Sequence, residues 1–208
     1  MLCSCPASTA IPSVPNAGCP VDLGQIQKIV FQRIFKTGTT LNSFTSTAKI
    51  TLLASWTANF TAADGSKMVI TPFVEAPTAD GGDAITYGGG NDTLGGVTRV
   101  IGRNPVNMTF ALRQIPQNVI AALKSLMCEN DLGVYLINGD GGVIGRKSAA
   151  DTYHPIPIRS LFVGDLVPNG LETPDSNALS FSFKPNWSDD IEVVTTEFDP
   201  LLELANDE

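Results

Sequence analysis

Charged residues are scarce in this sequence, and histidine is nearly absent. Asp, Glu, Lys and Arg make up 16% of its 208 residues, whereas a typical soluble domain has about 25%. A surface with so few charges leaves area that partner subunits can cover. His154 is the single histidine, so general acid–base catalysis or a Ser-His-Asp triad would have to use it. No Gly-x-Ser-x-Gly motif accompanies it, and we therefore expect neither catalytic residues nor enzyme activity.

Basic residues are outnumbered by acidic ones. The chain has 13 Lys and Arg against 21 Asp and Glu, which gives a formal net charge of −8. Proteins that bind DNA by neutralising phosphates need clustered cations, so we expect no tight or specific binding of DNA. A local patch formed by Arg99, Arg103, Arg146 and Lys147 is the alternative.

Long hydrophobic runs are missing. No stretch approaches the roughly 18 apolar residues of a membrane span, so we expect no membrane partner. The first Lys or Arg is Lys28, and no apolar segment typical of a secretory signal precedes it. The product is therefore expected to stay in the cytoplasm in which it is made.

Cysteine is also rare, and its four copies are unevenly placed. Cys3, Cys5 and Cys19 lie near the N-terminus, and Cys128 directly follows an apolar stripe. A structural zinc site needs four ligands, usually in paired Cys-x-x-Cys spacings, and the N-terminal segment offers three. We therefore expect free thiols in a reducing compartment and no metal site, with zinc bound to the N-terminal cysteines as the alternative. Cys128 is expected to be a buried, small apolar residue.

Glycine-rich runs are present, but they lack the other residues of nucleotide-binding motifs. Residues 90–97 have the two glycines of a P-loop without the Lys-Ser/Thr pair that follows them. Residues 139–145 follow a predicted strand, but no helix is predicted after them to hold a pyrophosphate. The spacing of Asp80, Asp83 and Asp92 is not that of an EF-hand loop. We therefore expect turns, with no cofactor and no cofactor-binding residue.

A strand, a helix and a second strand are predicted over residues 105–138. Val106–Arg113 alternates apolar and less apolar residues, as does a strand with one buried face. Pro116 suits the start of a helix, and an apolar stripe then predicts an amphipathic helix over residues 116–130. The stripe consists of Val119, Ile120, Leu123, Leu126 and Met127. We expect this helix to be the only one in the chain and to cover a β-sheet.

The remaining chain is predicted to consist mostly of strands and turns, so the expected fold is a mainly β sandwich or barrel with one flanking helix. Residues 47–60, which include Trp56, are predicted as a strand because β-branched and aromatic residues favour strands. The glycine-rich residues 75–104 are predicted as a long projecting loop or hairpin, with short strands at 84–87 and 97–101. Proline-rich residues 1–24 and acidic residues 188–208 are predicted as terminal arms, the latter with one further short strand at 191–194 as an alternative, and residues 25–187 as the β-sandwich domain.

This order of elements resembles the tail tube proteins of tailed bacteriophages. Members of that family have a β-sandwich or barrel core with one flanking helix, a long loop, and terminal arms that contact neighbouring subunits. The corresponding parts here are the strands between residues 25 and 184, the helix 116–130, the loop 75–104 and the arms 1–24 and 188–208.

The resemblance implies a virion structural protein that is assembled in the host cytoplasm and contacts other virion proteins. Its copies would form rings, commonly hexamers in this family, and the rings would stack into a tail tube. Genomic DNA would pass through this conduit without specific binding.

Two other classes of function stay open at the level of sequence. The first is another phage structural protein on the same fold, such as a head–tail connector, a ring protein or a capsid decoration protein. The second is a monomeric β-sandwich that binds a small ligand or carbohydrate, with Trp56 or Trp187 as the stacking platform.

Overall fold

The computed structural model describes residues 23–206. Residues 1–22 of the predicted N-terminal arm, with Cys3, Cys5 and Cys19, lie outside the described residues. The described strands are β1 Ile26–Arg33, β2 Phe35–Thr37, β3 Thr40–Leu41, β4 Met68–Ile70, β5 Glu75–Gly81, β6 Ala84–Tyr87, β7 Arg99–Arg103, β8 Val106–Arg113, β9 Leu132–Asn138, β10 Gly142–Ala149, β11 Thr152–His154, β12 Ile156–Val167, β13 Ser176–Phe183 and β14 Ile191–Thr195. The α-helices are α1 Leu53–Phe60, α2 Gln117–Ser125 and α3 Pro200–Glu203. Among residues 23–206, no helix is both long and apolar enough to span a membrane.

Ten of these strands form one antiparallel sheet that folds into two facing layers. The first layer has the order β4-β1-β9-β10, and both β11 and β14 pair with β10. The second layer has the order β12-β13-β8-β5. Ile156 of β12 pairs with Val134 of β9, which joins the layers. Phe31 of the first layer meets Phe181 of the second edge to face, with ring centroids 6.4 Å apart. The predicted mainly β, sandwich-type fold is therefore confirmed.

The space between the two layers holds the first of two apolar cores. Strand β8 contributes Met108, Phe110 and Leu112, the three positions that the alternation predicts to be buried. The flanking helix α2 covers one side of this core with Ile120 and Leu123. The strand and the helix that the sequence predicted over residues 105–130 are therefore both present.

The C-terminal end of the predicted helix 116–130 differs from expectation. The α-helix ends at Ser125, and a 3-10 turn over Leu126–Cys128 follows before the backbone becomes extended at Glu129. Cys128 is exposed, so the expectation of a buried thiol is wrong. Because the chain leaves α-helical geometry before this residue, Cys128 does not continue the apolar stripe toward the core.

A second core lies on the opposite face of the first layer. Strand β9 is buried on both faces: Val134 and Leu136 belong to the first core, and Tyr135 and Ile137 to the second. A strand that is buried on both faces needs apolar residues in an unbroken run, which accounts for the sequence of β9.

Helix α1 closes the second core, and it corrects two expectations. Residues 53–60 are helical where the sequence predicted a strand over residues 47–60, and α2 is not the only helix. Leu53, Trp56 and Phe60 are spaced by three and four residues, so they share one face of the helix, and all three pack in the second core. The indole Nε1–H of Trp56 donates to the carbonyl oxygen of Ile50 at 2.7 Å. Tertiary packing, rather than the weak helix propensity of its Thr, Trp and Asn residues, stabilises this short helix.

The acidic segment 188–208 is part of the sandwich as far as residue 206, not an arm that extends from it. Strand β14 pairs with β10 along Ile191–Thr195, and Leu204 is buried in the second core. The side chain of Asn206 donates to the carbonyl oxygen of Ile70 and accepts from its N–H, each at 2.8 Å. These two bonds occupy the outer edge of β4, where a further strand would otherwise pair.

Candidate assembly surfaces

The glycine-rich region predicted as a long loop or hairpin is a two-stranded extension of the second layer. Strand β5 continues into β6, and β7 continues into β8, so the hairpin formed by β6 and β7 grows directly out of the sheet. Two backbone bonds bridge the junction, from the N–H of Gly82 to the Pro105 oxygen at 3.4 Å and from the N–H of Asn104 to the Asp83 oxygen at 2.8 Å. We call residues 82–104 the ribbon. Residues 82–87 alone reach about 20 Å beyond the sheet at the usual rise of a strand.

The ribbon has a defined shape. At its base, Gly81 has a φ of +106°, and a Cβ there would lie 2.2 Å from the Pro105 oxygen, so only glycine fits. At its tip, the hydroxyl of Thr93 accepts from the N–H of Gly89 at 3.2 Å and donates to the Val97 oxygen at 2.8 Å. The glycine runs therefore form turns, as their sequence predicts.

The side chains of the ribbon are unusually apolar for an exposed hairpin. Leu94 at the tip is fully exposed, and Val100 is 64% exposed. The exposed large apolar residues of the ribbon are Ile85, Tyr87, Leu94, Val97, Val100 and Ile101. An isolated two-stranded hairpin is only marginally stable in water, and an apolar patch of this kind is typical of an interaction surface. The sequence predicted the projection but did not single out these side chains, although the run at residues 97–101 carries the signal.

The ribbon carries two basic residues, Arg99 and Arg103, and two acidic residues, Asp83 and Asp92, so its formal charges balance. Neither arginine takes part in the ion pairs formed among residues 23–206, and Arg103 donates to the side-chain oxygen of Asn186 at 2.7 Å. Lys147, in contrast, pairs with Glu192, and the hydrogen bond to that carboxylate raises the pKa of Lys147. This pairing removes one member of the alternative basic patch of Arg99, Arg103, Arg146 and Lys147.

The opposite end of the second layer presents a different surface. The loop between β12 and β13, residues 168–175, is here called the distal loop. Asn169 orders it: its N–H donates to Asp175 at 3.0 Å, and its side-chain amide donates to the Pro174 oxygen at 2.9 Å and to the Ser176 hydroxyl at 3.0 Å. The sequence predicts only turns here, since nothing in the local pattern of residues 168–175 shows what they face.

A cleft of about 410 Å³ lies between the distal loop and the residues that lead into α2. Its walls include Gln114 and Ile115 on one side and Leu166, Pro174 and Asp175 on the other. Leu166 in the cleft wall is exposed, as are Val167 and Leu171, which neighbour the wall residues Leu166 and Gly170 in the sequence. The distal loop carries Glu172 and Asp175 and no basic residue, so this end of the molecule is apolar and acidic.

The side chain of His154 is buried, and both of its ring nitrogens have hydrogen-bond partners within the protein. Its Nδ1–H donates to the carbonyl oxygen of Asn42 at 2.8 Å, and its Nε2 lies 2.9 Å from the hydroxyl oxygen of Ser148. Because Nδ1 faces an acceptor, Nε2 of the neutral ring accepts the proton of Ser148. A backbone carbonyl thus takes the place that the carboxylate has in a Ser-His-Asp triad, and only 8% of His154 is exposed. These bonds tie β10 and β11 to the segment at residue 42.

The two tryptophans lie in apolar packing. Trp56 is completely buried, so it offers no face to a carbohydrate or other ligand. Trp187 stacks on Phe183, with ring centroids 4.1 Å apart and an angle of 12° between the planes. If the protein were the ligand-binding β-sandwich of the alternative reading, only the face of Trp187 that does not contact Phe183 could stack on a ligand.

Acidic groups do not converge into a metal-binding cluster in the described part of the chain. Among residues 23–206, no group of three or more His, Cys, Asp or Glu side chains is placed to hold a metal ion. Asp80 lies on β5, Asp83 at the base of the ribbon and Asp92 near its tip.

No protein-family model matches this chain, and a search of curated proteins finds no match.

Proposed function

We propose that this chain is a structural protein of a tailed-bacteriophage virion, whose copies assemble into rings that stack into a tail tube for DNA. The observation that carries the proposal is the ribbon, a projecting hairpin whose apolar side chains are exposed in the single chain. The β-sandwich with its covering helix α2 supports the same proposal, because it is the arrangement that the resemblance to tail tube proteins implies.

Energetics favours a partner on the ribbon. Full burial of one large apolar side chain contributes about 1.5–3 kcal/mol, and the ribbon exposes six such side chains, from Ile85 to Ile101. Burial of a few of them on a neighbour would therefore stabilise both the hairpin and the contact. The glycine-rich tip supplies shape but little apolar area of its own.

The charge of the chain supports a conduit through which DNA passes without being held. The net charge is −8, and several of the cations are paired with carboxylates, as in the contact of Arg33 with Glu129 at 2.7 Å and that of Arg113 with Glu75 at 3.2 Å. DNA is retained by clustered, unneutralised cations, so an assembly of these chains would repel the phosphates that pass through it.

Light scattering of the purified full chain, over a range of protein and salt concentrations, tests the proposal. We expect a particle mass many times the 22.0 kDa of one chain, in steps that correspond to a ring and to stacks of that ring. Discrete rings that never stack would favour a connector or decoration protein instead. A monomer at every concentration and every salt level would contradict self-assembly and favour the ligand-binding alternative.

A further inference from the structure

We propose that Ser148, His154 and Arg146 form an acyl-transfer site that hydrolyses small carboxylic esters. The inference goes beyond the proposed function and does not depend on assembly. It also departs from the expectation, drawn from the sequence, of no enzyme activity. No local motif marks this site, because a β-hairpin, and not the strand-to-helix turn of a Gly-x-Ser-x-Gly motif, brings Ser148 and His154 together.

Ser148 has the hydrogen bonds of an activated nucleophile. Its hydroxyl oxygen lies 2.9 Å from Nε2 of His154, and the Nδ1–H of that ring donates to the carbonyl oxygen of Asn42 at 2.8 Å. The bond to Asn42 selects the tautomer of the neutral ring in which Nε2 is an acceptor. His154 can therefore take the hydroxyl proton, as the histidine does in a serine hydrolase.

The backbone presents Ser148 to solvent while its base stays buried. His154 is buried, whereas Ser148 is exposed. The register of β10 and β11 shifts between Lys147 and Ala149, so Ser148 is the extra residue of a β-bulge. Bulges are frequent next to active sites because they redirect a side chain out of the regular alternation. A substrate can therefore reach the hydroxyl while the protein shields the imidazole from bulk water.

Arg146 supplies a positive charge for the oxyanion of the reaction. It pairs with His154 in the β10–β11 ladder, and directly opposed residues of an antiparallel pair share one face of the sheet, with Cβ atoms about 4.5–5.5 Å apart. Among residues 23–206, the guanidinium of Arg146 forms neither an ion pair nor a side-chain hydrogen bond. Because it is not already neutralised, it can stabilise negative charge that develops on a carbonyl oxygen.

A cleft of about 410 Å³ beside Ser148 limits the class of substrate. It lies between the end of β10 and the start of β14, and its walls include Asp189 and Asp190. Lys147 also lines the cleft, but its charge is paired with Glu192. The two aspartates repel anions, and the volume suits a small ligand. The site therefore favours a small ester without negative charge.

The reaction needs only the ester and water. The Ser148 hydroxyl oxygen attacks the carbonyl carbon, its proton moves to Nε2 of His154, and the oxyanion forms near Arg146. When the bond to the leaving oxygen breaks, His154 returns the proton to that oxygen and the alcohol departs. Water then attacks the acyl-serine with His154 again as base, which releases the carboxylic acid and restores the Ser148 hydroxyl.

The first test uses the purified full chain and a neutral ester, p-nitrophenyl acetate. We expect repeated turnover that releases p-nitrophenolate, and an acetyl group on Ser148 when the quenched protein is digested and analysed by mass spectrometry. A fluorophosphonate, which forms a stable bond to activated serines, should label the same residue stoichiometrically. Absence of both adducts from Ser148 would overturn the inference.

The second test removes the nucleophile. Ser125→Ala is the matched control for Ser148→Ala, because Ser125 is also exposed and its hydroxyl donates to the Ala122 carbonyl oxygen at 2.6 Å and not to an imidazole. We expect kcat/KM of the Ser148→Ala protein to fall by at least about 100-fold, and that of the Ser125→Ala protein to keep the wild-type value. Urea midpoints of both variants check that folding is intact. Hydrolysis by the Ser148→Ala protein at the wild-type rate would contradict the proposal.

The third test concerns the charge of Arg146. Arg146→Gln should lower kcat by about 100-fold with little change in KM, because the guanidinium acts on charge that exists only in the transition state. Arg146→Lys keeps the positive charge and should recover part of the lost rate. An unchanged kcat in the Arg146→Gln protein would show that the site does not consist of these three residues.

Discussion

Replacing Leu123 tests whether α2 is required to close the first core. Leu123 is 2% exposed and lies among the side chains of both layers. Truncation of a buried leucine to alanine costs about 2–5 kcal/mol, because apolar contacts are lost and a cavity remains. We therefore expect Leu123→Ala to lower the free energy of unfolding by about 2–5 kcal/mol.

Leu123→Asp should be more severe, because a carboxylate at this position must either lose its water or pull the helix from the core. A typical domain is stable by only about 5–15 kcal/mol, so we expect little cooperatively folded protein at 25 °C. Urea titration followed by tryptophan fluorescence measures this, since Trp56 is buried in the folded state. It is carried out at low protein concentration, where the proposed assembly does not form.

Ala121→Asp is the matched control, because Ala121 is exposed on the same helix. The cost there is the difference in helix propensity, about 0.5–0.7 kcal/mol. If the Leu123→Asp protein melted cooperatively at the same urea concentration as the Ala121→Asp protein, α2 would not be a necessary cover of the core, and the account of the first core would be wrong.

Three further predictions concern pH, the ribbon and DNA. Hydrogen bonds from Ser66, and a smaller contribution from Lys36, lower the pKa of Asp64 from 3.8 to about 2. The ionised Asp64 carboxylate therefore stabilises the fold above about pH 4, and this effect is lost as the pH falls through about 2. The urea midpoint of an Asp64→Asn protein should fall less over this interval than that of the wild type. An identical fall in both proteins would show that Asp64 is not the group responsible. Amide exchange in residues 82–104 should be fast in the dissociated chain and slow in the assembly, and equal protection in both states would show that the ribbon makes no contact between copies. Duplex DNA should show no binding in a filter assay at low salt, where electrostatic attraction is strongest, whereas micromolar binding that weakens with salt would indicate a protein that grips the genome.

Strands and helices with one apolar and one polar face could be predicted from the sequence, because the spacing of their apolar residues shows which face is buried. The alternation of Met108, Phe110 and Leu112 corresponds to the buried face of β8, and the positions of Ile120 and Leu123 correspond to the buried face of α2. In both elements one face is apolar and the other is not, so periodicity alone distinguishes strand from helix.

Helix α1 could not be predicted in this way because two signals compete within it. Its residues include Trp56, Thr57 and Phe60, which favour strands, while the spacing of Leu53, Trp56 and Phe60 is helical. The second core decides between the two, because the outer face of β9 needs a cover and α1 supplies it. This face could not be anticipated without knowing that β9 is buried on both sides.

The C-terminal segment shows how composition can obscure packing. Its acidic residues indicated an arm, but Val194, Phe198, Leu201 and Leu204 lie between them and pack in or against the second core. Only the fold brings β14 beside β10 and places these side chains on apolar neighbours. The candidate assembly surfaces were predictable only in part. The projection at residues 75–104 follows from glycine content, whereas the position of the distal loop at the opposite end of the second layer depends on which strands are neighbours.

Negative-stain electron microscopy of the purified wild-type chain at high protein concentration tests the central claim, stacking of rings into a conduit, most directly. We expect open-ended tubes with a stain-filled central channel and a regular axial repeat. Isolated particles of single-chain size, at every concentration and salt level at which the protein stays folded, would contradict the account.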